Sequence, residues 1–208
     1  LRKFIKIYKP RHIFLEKPLS NNPLNAINLI KFLEKKKIKF SVGFLFKYIE
    51  WCKYLKKKKS TKQQFKISWN IKINNKNNSW KFIHSDGGGL IRFYSIHLIR
   101  IFFDLKFFKI QQILKKKDYF YLNLFDHMKN NIKLEVKYAK NNLFVLKHNN
   151  KQCFRSSNPF LKPIIKKKDP RVSFLKTYLN DIIKNFKVNY IYEKKFIYFW
   201  NKIEKKDG

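Results

Sequence analysis

Cysteine and glycine are both scarce in this chain of 208 residues, which has two of the first and five of the second. Cys52 and Cys153 lie far apart, and neither belongs to a C-x-x-C motif. This spacing excludes a disulfide-stapled scaffold and a zinc knuckle. Unpaired cysteines fit a reducing compartment, so we expect a cytoplasmic protein without a bound metal.

Acidic residues and arginine are also few. The chain has 13 acidic residues against 49 basic ones, a net charge of +36. Such a charge suits a lysine-rich, RNA-associated or ribosomal-type protein, because basic surfaces bind phosphate regardless of sequence. However, nearly all of the basic residues are lysine, although arginine recognises phosphates and bases better. Lysine, asparagine, isoleucine, phenylalanine and tyrosine are abundant together, which is typical of coding sequence that drifts toward A and T. We therefore attribute most of the charge to drift and expect no specific nucleic-acid partner, with the RNA-associated protein as an alternative.

Long uninterrupted apolar runs are absent as well. The longest apolar stretch, residues 90–108, contains Arg92, His97, Arg100 and Asp104, too many polar groups for a membrane span. No signal peptide is visible. Apolar residues make up 44% of the chain and aromatic residues 18%, as in globular proteins. We expect a globular protein with no membrane partner.

The N-terminal part of the chain predicts a strand, a helix and a second strand. Residues 12–15 form a short apolar run, and Asn22-Pro23 then supplies a helix cap followed by proline at the first helical position. Apolar residues recur on one helical face from position 24 to position 33, and residues 38–44 form another strand-like run. A strand, helix and strand with short connections make two parallel strands. Residues 1–46 are therefore predicted to end a parallel α/β domain.

From residue 65 the apolar pattern changes to a period of two. Residues 65–73 (FKISWNIKI) alternate strictly between apolar and polar side chains, and residues 132–138 do the same. Asn141-Asn142 separates the second run from residues 143–148 as a hairpin turn would. These runs predict antiparallel strands with one buried face.

Two further elements complete this second part. Residues 118–125 are another strand candidate, and residues 173–186 have the spacing of an amphipathic helix. We predict that residues 47–208 form an α+β domain with an antiparallel sheet.

Two stretches carry residues suited to chemistry. The carboxyl ends of parallel strands form the ligand crevice of an open sheet, and Glu16-Lys17-Pro18 follows the first predicted strand. The same three residues would also fit a surface ion pair next to a proline in a turn, without any role in chemistry. Further along, three consecutive glycines, Gly87-Gly88-Gly89, precede a helix that carries His97 between apolar neighbours. Such a run allows close approach of the backbone or a helix N-terminus that faces a ligand. A histidine on an apolar helix is usually a core residue, so it is the glycine run that makes His97 a candidate.

The order of these features is the informative part. It consists of a strand ending in Glu16-Lys17-Pro18, a helix, a strand ending in Val42-Gly43-Phe44, an antiparallel domain, and the glycine run opening a helix with a histidine. This order resembles the glucose-fructose oxidoreductase, inositol dehydrogenase and rhizopine catabolism (Gfo/Idh/MocA) family of NAD(P)-dependent oxidoreductases. The resemblance covers residues 12 to about 110 and, more loosely, the segment DPRVSFLKTYLNDII at residues 169–183.

The resemblance implies a fold, a cofactor and site residues. Residues 1–46 correspond to the second half of a Rossmann-type dinucleotide-binding domain, and residues 47–208 to the substrate and oligomerisation domain. Lys17 is expected beside the nicotinamide and the reacting hydroxyl, Glu16 helps to hold the NAD or NADP, and His97 transfers the proton. The implied substrate is a sugar, polyol or sugar derivative, and the antiparallel sheet is the surface through which a homo-oligomer would form.

The sequence also departs from the family pattern, and Ser95 and Arg100 stand where the family often has a glycine and an acidic residue. An aspartate usually lies four residues before the histidine, and Phe93 occupies that position here. The Gly-x-Gly-x-x-Gly turn that holds the cofactor pyrophosphate should precede Glu16 and is absent from these 208 residues. We therefore expect a chain truncated at its N-terminus that does not bind NAD(P) tightly alone. A catalytically inactive or decaying relative of the family remains an alternative.

Overall fold

The computed structural model describes residues 1–73, 80–160, 169, 171–185 and 188–206. In chain order the strands are β1 (His12–Leu15), β2 (Lys39–Val42), β3 (Gln64–Lys72), β4 (Lys109–Lys116), β5 (Tyr119–Phe125), β6 (Asn131–Ala139), β7 (Leu143–His148) and β8 (Lys151–Ser156). The α-helices are α1 (Arg2–Tyr8), α2 (Pro23–Lys35), α3 (Glu50–Lys58), α4 (Ile96–Asp104), α5 (Arg171–Asn185) and α6 (Tyr190–Lys205). None of the helices within these ranges has the length and apolar character needed to cross a membrane.

The strand, helix and strand predicted at the N-terminus are present. β1 and β2 pair in parallel, with His12 opposite Lys39 and Leu15 opposite Val42. The connecting helix α2 begins as predicted, because the Asn22 side chain accepts a hydrogen bond from the Leu24 amide at 2.8 Å. This unit places the carboxyl end of β1, where Glu16 follows, at one edge of the parallel pair.

The second sheet has six strands in the order β4-β5-β6-β3-β7-β8. All neighbouring strands are antiparallel except β3 and β6, which run parallel. Along β3 the side chains of Phe65, Ile67, Trp69 and Ile71 are buried, as the strict alternation predicts. The predicted fold class, a parallel α/β unit followed by an α+β domain with a largely antiparallel sheet, is confirmed.

The predicted hairpin at Asn141-Asn142 is wrong, because β6 and β7 are not neighbours. β3 lies between them and pairs with both. The connection from β6 to β7 must therefore cross one strand, a distance of about 10 Å that three linking residues can span. Asn142 uses its side chain to accept a hydrogen bond from the Lys72 amide at 2.7 Å, so it ties down the end of β3 rather than closing a tight turn.

Two elements, β4 and α3, were not predicted from the spacing of apolar residues. In β4 the register against β5 shifts between Ile110 and Gln112, and this irregularity interrupts the alternation of buried and exposed side chains. In α3 the apolar face is short, consisting of Trp51, Cys52 and Leu55.

Helix α6 returns from the C-terminal part of the chain to the N-terminal unit. The Tyr190 hydroxyl donates to the Ile38 carbonyl at 2.8 Å, and Lys194 pairs with Glu34 at 2.8 Å. The buried apolar side chains form one continuous cluster from Ile5 to Ile203. The domain boundary at residue 46 stays a prediction, with a core that runs across it.

We expect the cap of α2 to contribute measurably to stability. Asn22→Ala removes the acceptor for the Leu24 amide and should lower the free energy of unfolding by about 1 kcal/mol, measured by urea denaturation. Asn25→Ala, on an exposed position of the same helix, is the matched control and should change it by less than about 0.5 kcal/mol. Equal effects of the two substitutions would contradict the capping role.

Candidate active site

The Glu16-Lys17-Pro18 segment leaves the carboxyl end of β1 next to the end of β2. The Gly43 amide donates to the Leu15 carbonyl at 3.0 Å and so extends the parallel ladder by one residue. A β-carbon at Gly43 would lie 3.2 Å from the Phe14 ring and 3.6 Å from the Glu16 carboxylate. The Glu16 side chain therefore lies over the end of β2, and glycine at position 43 leaves room for it.

The glycine run forms a tight turn that contacts the segment after Lys17. Gly87 has a φ angle of 87°, and a β-carbon there would lie 3.4 Å from the backbone of Asn21. A β-carbon at Gly88 would lie 2.1 Å from the Trp80 carbonyl oxygen, which no side chain can tolerate. The Asn21 side chain also donates to the Ser85 carbonyl at 3.3 Å. The glycines thus bring the turn against the N-terminal unit, as the sequence predicts.

The helix that follows begins with one wide turn. Residues Leu90–Ser95 form a π-helical turn that continues directly into α4. This turn carries Phe93, and the first turn of α4 carries His97. Wide turns of this kind are rare and occur frequently at functional sites.

Lys17 and His97 both line one cleft of about 640 Å³ between the N-terminal unit and the larger sheet. Glu16 lines the same cleft, so the structure brings together the three site residues expected from the sequence. The aromatic side chains Trp69, Trp80, Phe93 and Tyr94 form much of its wall. Lys81, Asp169 and Arg171 contribute the remaining charges.

Lys17 is held by a neutral acceptor in an aromatic environment. Its Nζ donates to the Phe93 carbonyl oxygen at 2.7 Å and lies 4.2 Å from the centre of the Phe93 ring. Burial lowers the pKa of Lys17 to about 8; the Glu16 charge opposes this shift, and the Lys81 and Arg171 charges add to it. The Lys17 ammonium can therefore release its proton close to neutral pH.

His97 lies at the inner end of the cleft. Its ring stacks on Phe46 with 4.4 Å between the ring centres, and the Phe44 ring meets its edge at 6.0 Å. Burial, together with the charge of Lys17, lowers the pKa of His97 well below its usual value. The Nδ1 atom is buried and has no hydrogen-bond partner among the residues that the structure describes. A neutral imidazole with a free nitrogen can accept a proton from a group in the cleft.

Phe93 occupies the position where the resembling family usually has an aspartate, and it has a different role. Its carbonyl group, not its side chain, holds Lys17. Its ring packs edge-on against Trp80, with 5.4 Å between the ring centres. Position 93 thus contributes to the site through its backbone and through the exclusion of water, and supplies no charge to orient His97.

Two contributions to the cleft were missed by the sequence reasoning. Phe46, which stacks on His97, lies in a 3₁₀ turn (Leu45–Tyr48) just after β2. Arg171 begins α5 and reaches the cleft from a distant part of the sequence, paired with Asp169. The Asp169-Pro170-Arg171 motif was visible as part of the looser resemblance but suggested no role. Across the described ranges, no group of histidine, cysteine and acidic side chains is arranged to hold a metal ion.

The burial of Lys17 should cost stability at neutral pH. The unfolded chain keeps the Lys17 proton until about pH 10, whereas the folded chain releases it near pH 8. Between these values the unfolded state binds more protons, so the stability of the folded protein rises with pH. Lys17→Met should therefore raise the free energy of unfolding at pH 7, by an amount on the order of 1 kcal/mol, and the gain should shrink toward pH 10.

Denaturation in urea at pH 7, 8.5 and 10 measures this difference. Lys31→Met, on the exposed face of α2, is the matched control and should show no such dependence. A Lys17→Met variant that is less stable than the native chain at pH 7 would show that Lys17 is a structural residue.

Comparison with known proteins identifies solved structures that share the fold. No protein-family model matches the sequence, and no curated protein matches it. Solved structures do match, among them the Thermus thermophilus WlbA (WbpB) dehydrogenase in complex with NAD and UDP-GlcNAcA, at a TM-score of 0.67 and 12% identity over 93% of this chain. A putative myo-inositol dehydrogenase from Sinorhizobium meliloti matches at 0.60 and 14% over 94% of this chain. The UDP-N-acetylglucosamine 3-dehydrogenase GnnA from Acidithiobacillus ferrooxidans matches at 0.61 and 11% over 93%.

The length of these proteins differs from that of the chain. The 208 residues cover 64% of the WlbA chain, 72% of the Sinorhizobium chain and 69% of the GnnA chain. At sequence identities between 11% and 14%, these matches establish similarity of fold alone. The chain has the fold of the Gfo/Idh/MocA-type dehydrogenases, which confirms the fold that the sequence resemblance implied.

Proposed function

We propose that the chain is the catalytic and substrate-binding part of an NAD(P)-dependent oxidoreductase that acts on a hydroxyl or carbonyl group of a sugar, polyol or sugar derivative. The observation that carries this proposal is that Lys17 and His97 line the same aromatic cleft at the carboxyl end of β1. A buried lysine that titrates near neutral pH and a neutral histidine are the groups that proton transfer during such a reaction requires.

Lys17 is the residue that faces the reacting oxygen. An ammonium group beside a carbonyl or hydroxyl oxygen stabilises the negative charge that develops on that oxygen. Because its pKa is about 8, Lys17 can also exchange a proton with the same oxygen. The dinucleotide, when bound, accepts or supplies the hydride.

His97 serves as the second proton-transfer group. Its ring is neutral, and its Nδ1, which has no hydrogen-bond partner among the described residues, can accept a proton from the substrate. No aspartate at position 93 stabilises a charged imidazolium, so His97 should contribute less than Lys17. A catalytically inactive relative of this family remains the alternative proposal, because Phe93 in place of an aspartate weakens proton transfer through His97.

The residues of the chain fit the reacting end of a dinucleotide better than its pyrophosphate. Glu16 and Lys17 lie at the strand end where a nicotinamide would meet the substrate. The glycine run is unsuited to the pyrophosphate, because the Gly87 and Gly88 amides already donate to the His84 and Ile83 carbonyls at 3.2 and 2.9 Å. Pyrophosphate capture depends on free backbone amides at such a turn.

The walls of the cleft support a sugar-like substrate. Aromatic rings such as Trp69, Trp80 and Tyr94 offer flat apolar surfaces for the C–H faces of a sugar ring. Lys81 and Arg171 at the same cleft suit an acidic substituent. The WlbA structure was obtained with UDP-GlcNAcA, which accords with this substrate class.

We also propose that the outer face of the six-stranded sheet forms the interface of a homo-oligomer. A row across this face consists of Leu114, Tyr121, Glu135, Ser68, Val145 and Arg155, one residue from each of the six strands. The row combines apolar side chains with one acidic and one basic residue, a mixture that a self-complementary contact between two copies can accommodate.

Substitution at the two site residues tests the activity. In the gene product that contains residues 1–208, oxidation of sugars, polyols and nucleotide sugars is followed by the absorbance of the reduced nicotinamide. Lys17→Ala should lower turnover by on the order of 100-fold or more, because it removes the charge at the reacting oxygen. His97→Ala should cost less, and Lys31→Ala should leave turnover unchanged. Turnover that is indifferent to Lys17→Ala would remove the proposed site.

Cofactor binding by residues 1–208 alone gives a separate test. We expect calorimetry to detect no binding of NAD or NADP at micromolar concentration, because the Gly87 and Gly88 amides already donate to backbone carbonyls. Micromolar binding to this chain would show that another surface captures the pyrophosphate.

A further inference from the structure

We propose that Lys17 is also a carbonyl-condensing amine, which forms an imine with the open-chain aldehyde or ketone of a small sugar held in the cleft. This activity needs no dinucleotide, so it goes beyond the proposed oxidoreductase function. It rests on how Lys17 is held and on what surrounds it.

The contacts of Lys17 leave its amine free to act as a nucleophile. Its polar contact is the Phe93 carbonyl oxygen, to which a neutral amine can still donate a hydrogen bond, although a weaker one than an ammonium group donates. In the part of the chain that the structure describes, no carboxylate lies within ion-pair distance of the Lys17 Nζ. The neutral, nucleophilic form of Lys17 therefore loses no ion pair.

Lys59 provides an instructive contrast. It is also partly buried and also donates to a backbone carbonyl, that of Leu105 at 2.6 Å. However, it pairs with the buried Asp126 carboxylate at 2.8 Å. The surroundings of Lys17 are those of a reactive lysine, and the surroundings of Lys59 are those of a structural one.

Burial is the largest cause of the lowered pKa of Lys17, and the charged groups that face it come from several elements. Glu16, on the same segment, raises the pKa with a larger effect than either of the other charges but a smaller one than burial. Lys81, on the short 3₁₀ turn Trp80–Phe82, and Arg171, at the start of α5, both lower it. With a pKa of about 8, roughly half of Lys17 is neutral at pH 8, whereas an unperturbed lysine is less than about 1% neutral.

The condensation balances with groups already present. The Lys17 Nζ attacks the carbonyl carbon and gives a carbinolamine, and a proton moves from nitrogen to the former carbonyl oxygen. Loss of that oxygen as water leaves a carbon–nitrogen double bond, with no change in oxidation state. His97 can relay the proton, because its ring lines the same cleft and its Nδ1 has no hydrogen-bond partner within the described part of the chain. The cleft of about 640 Å³ has room for a small sugar.

Reductive trapping tests the proposal on residues 1–208. The chain is incubated briefly with glyceraldehyde and cyanoborohydride, which reduces any imine to a stable secondary amine, and peptide mass spectrometry then locates the modified lysines. At pH 7.5 we expect Lys17 to be modified at least about 10-fold faster than the exposed lysines, since its neutral fraction is far larger. The rate at Lys17 should level off above about pH 8, whereas the rates at exposed lysines should keep rising toward pH 10.

Variants separate this reaction from general lysine reactivity. Lys17→Arg keeps the charge and should abolish the fast phase. Lys47→Arg is the matched control and should leave the fast phase intact, because Lys47 lies outside this cleft, over the rings of Tyr48 and Tyr178. Phe93→Asp should slow trapping at pH 7.5 and move its pH profile upward, because a carboxylate beside Lys17 favours the ammonium form.

The outcomes are distinct from those of the oxidoreductase assays. Fast trapping at Lys17 supports the condensing amine even where no dinucleotide-dependent turnover is found. Labelling spread evenly over the lysines, or a rate at Lys17 that rises up to pH 10, would overturn the proposal. Both readouts use the native chain, so they do not depend on whether a variant folds.

Discussion

Two partly buried arginine–carboxylate pairs connect the C-terminal helix to the helix that carries His97, and the geometry of the cleft depends on them. Arg92 donates to the Glu204 carboxylate at 2.9 and 2.6 Å, and Arg100 donates to both oxygens of Glu193 at 2.7 and 2.8 Å. α6 also packs on α2 of the N-terminal unit. These pairs therefore connect the element that carries His97 with the unit that carries Lys17. Paired charges of this kind are costly to break, because each leaves an uncompensated charge in the interior.

The use of arginine at these positions explains an oddity of the composition. The chain has few arginines among its 49 basic residues, yet two of them occupy these buried pairs. The guanidinium of Arg100 also lies over the rings of Phe44 and Phe196, which lysine would do less well. Drift in coding composition can exchange arginine for lysine on a solvated surface, but not where two parallel hydrogen bonds are required. Arg92 and Arg100 thus mark positions where the geometry of the side chain matters.

The sequence predicts those parts of the fold that local pattern determines. The Asn22-Pro23 cap and the alternation along β3 are properties of short segments, and both appear as expected. The partner of each strand is a different matter, because the pairing of β3 with both β6 and β7 is decided by contacts between residues far apart. A two-residue asparagine turn is compatible with a hairpin but does not require one, which is why the predicted hairpin failed.

Some residues of the candidate site could likewise be predicted from the sequence, and others could not. Lys17 and His97 were predicted as site residues from the order of the motifs and from the family resemblance. Local pattern alone could not have found them, because Lys17 looks like a surface lysine and His97 like a core histidine. Phe46 and Arg171 reach the cleft only through tertiary packing. The low pKa of His97 follows from the same packing, because it requires both burial and the charge of a lysine 80 residues away in sequence.

The contact between Lys17 and the Phe93 carbonyl changes how the missing aspartate should be understood. Because the backbone makes the hydrogen bond, any residue at position 93 retains it, and the side chain there is free to tune the site. An aspartate would hold Lys17 charged and support a charged His97. A phenylalanine excludes water, leaves a weaker ring contact for the ammonium group, and lets burial bring the pKa of Lys17 down to about 8. In the proposed reaction, phenylalanine at position 93 would therefore give more of the acid–base role to Lys17 and less to His97, and the proposed site does not require the usual aspartate.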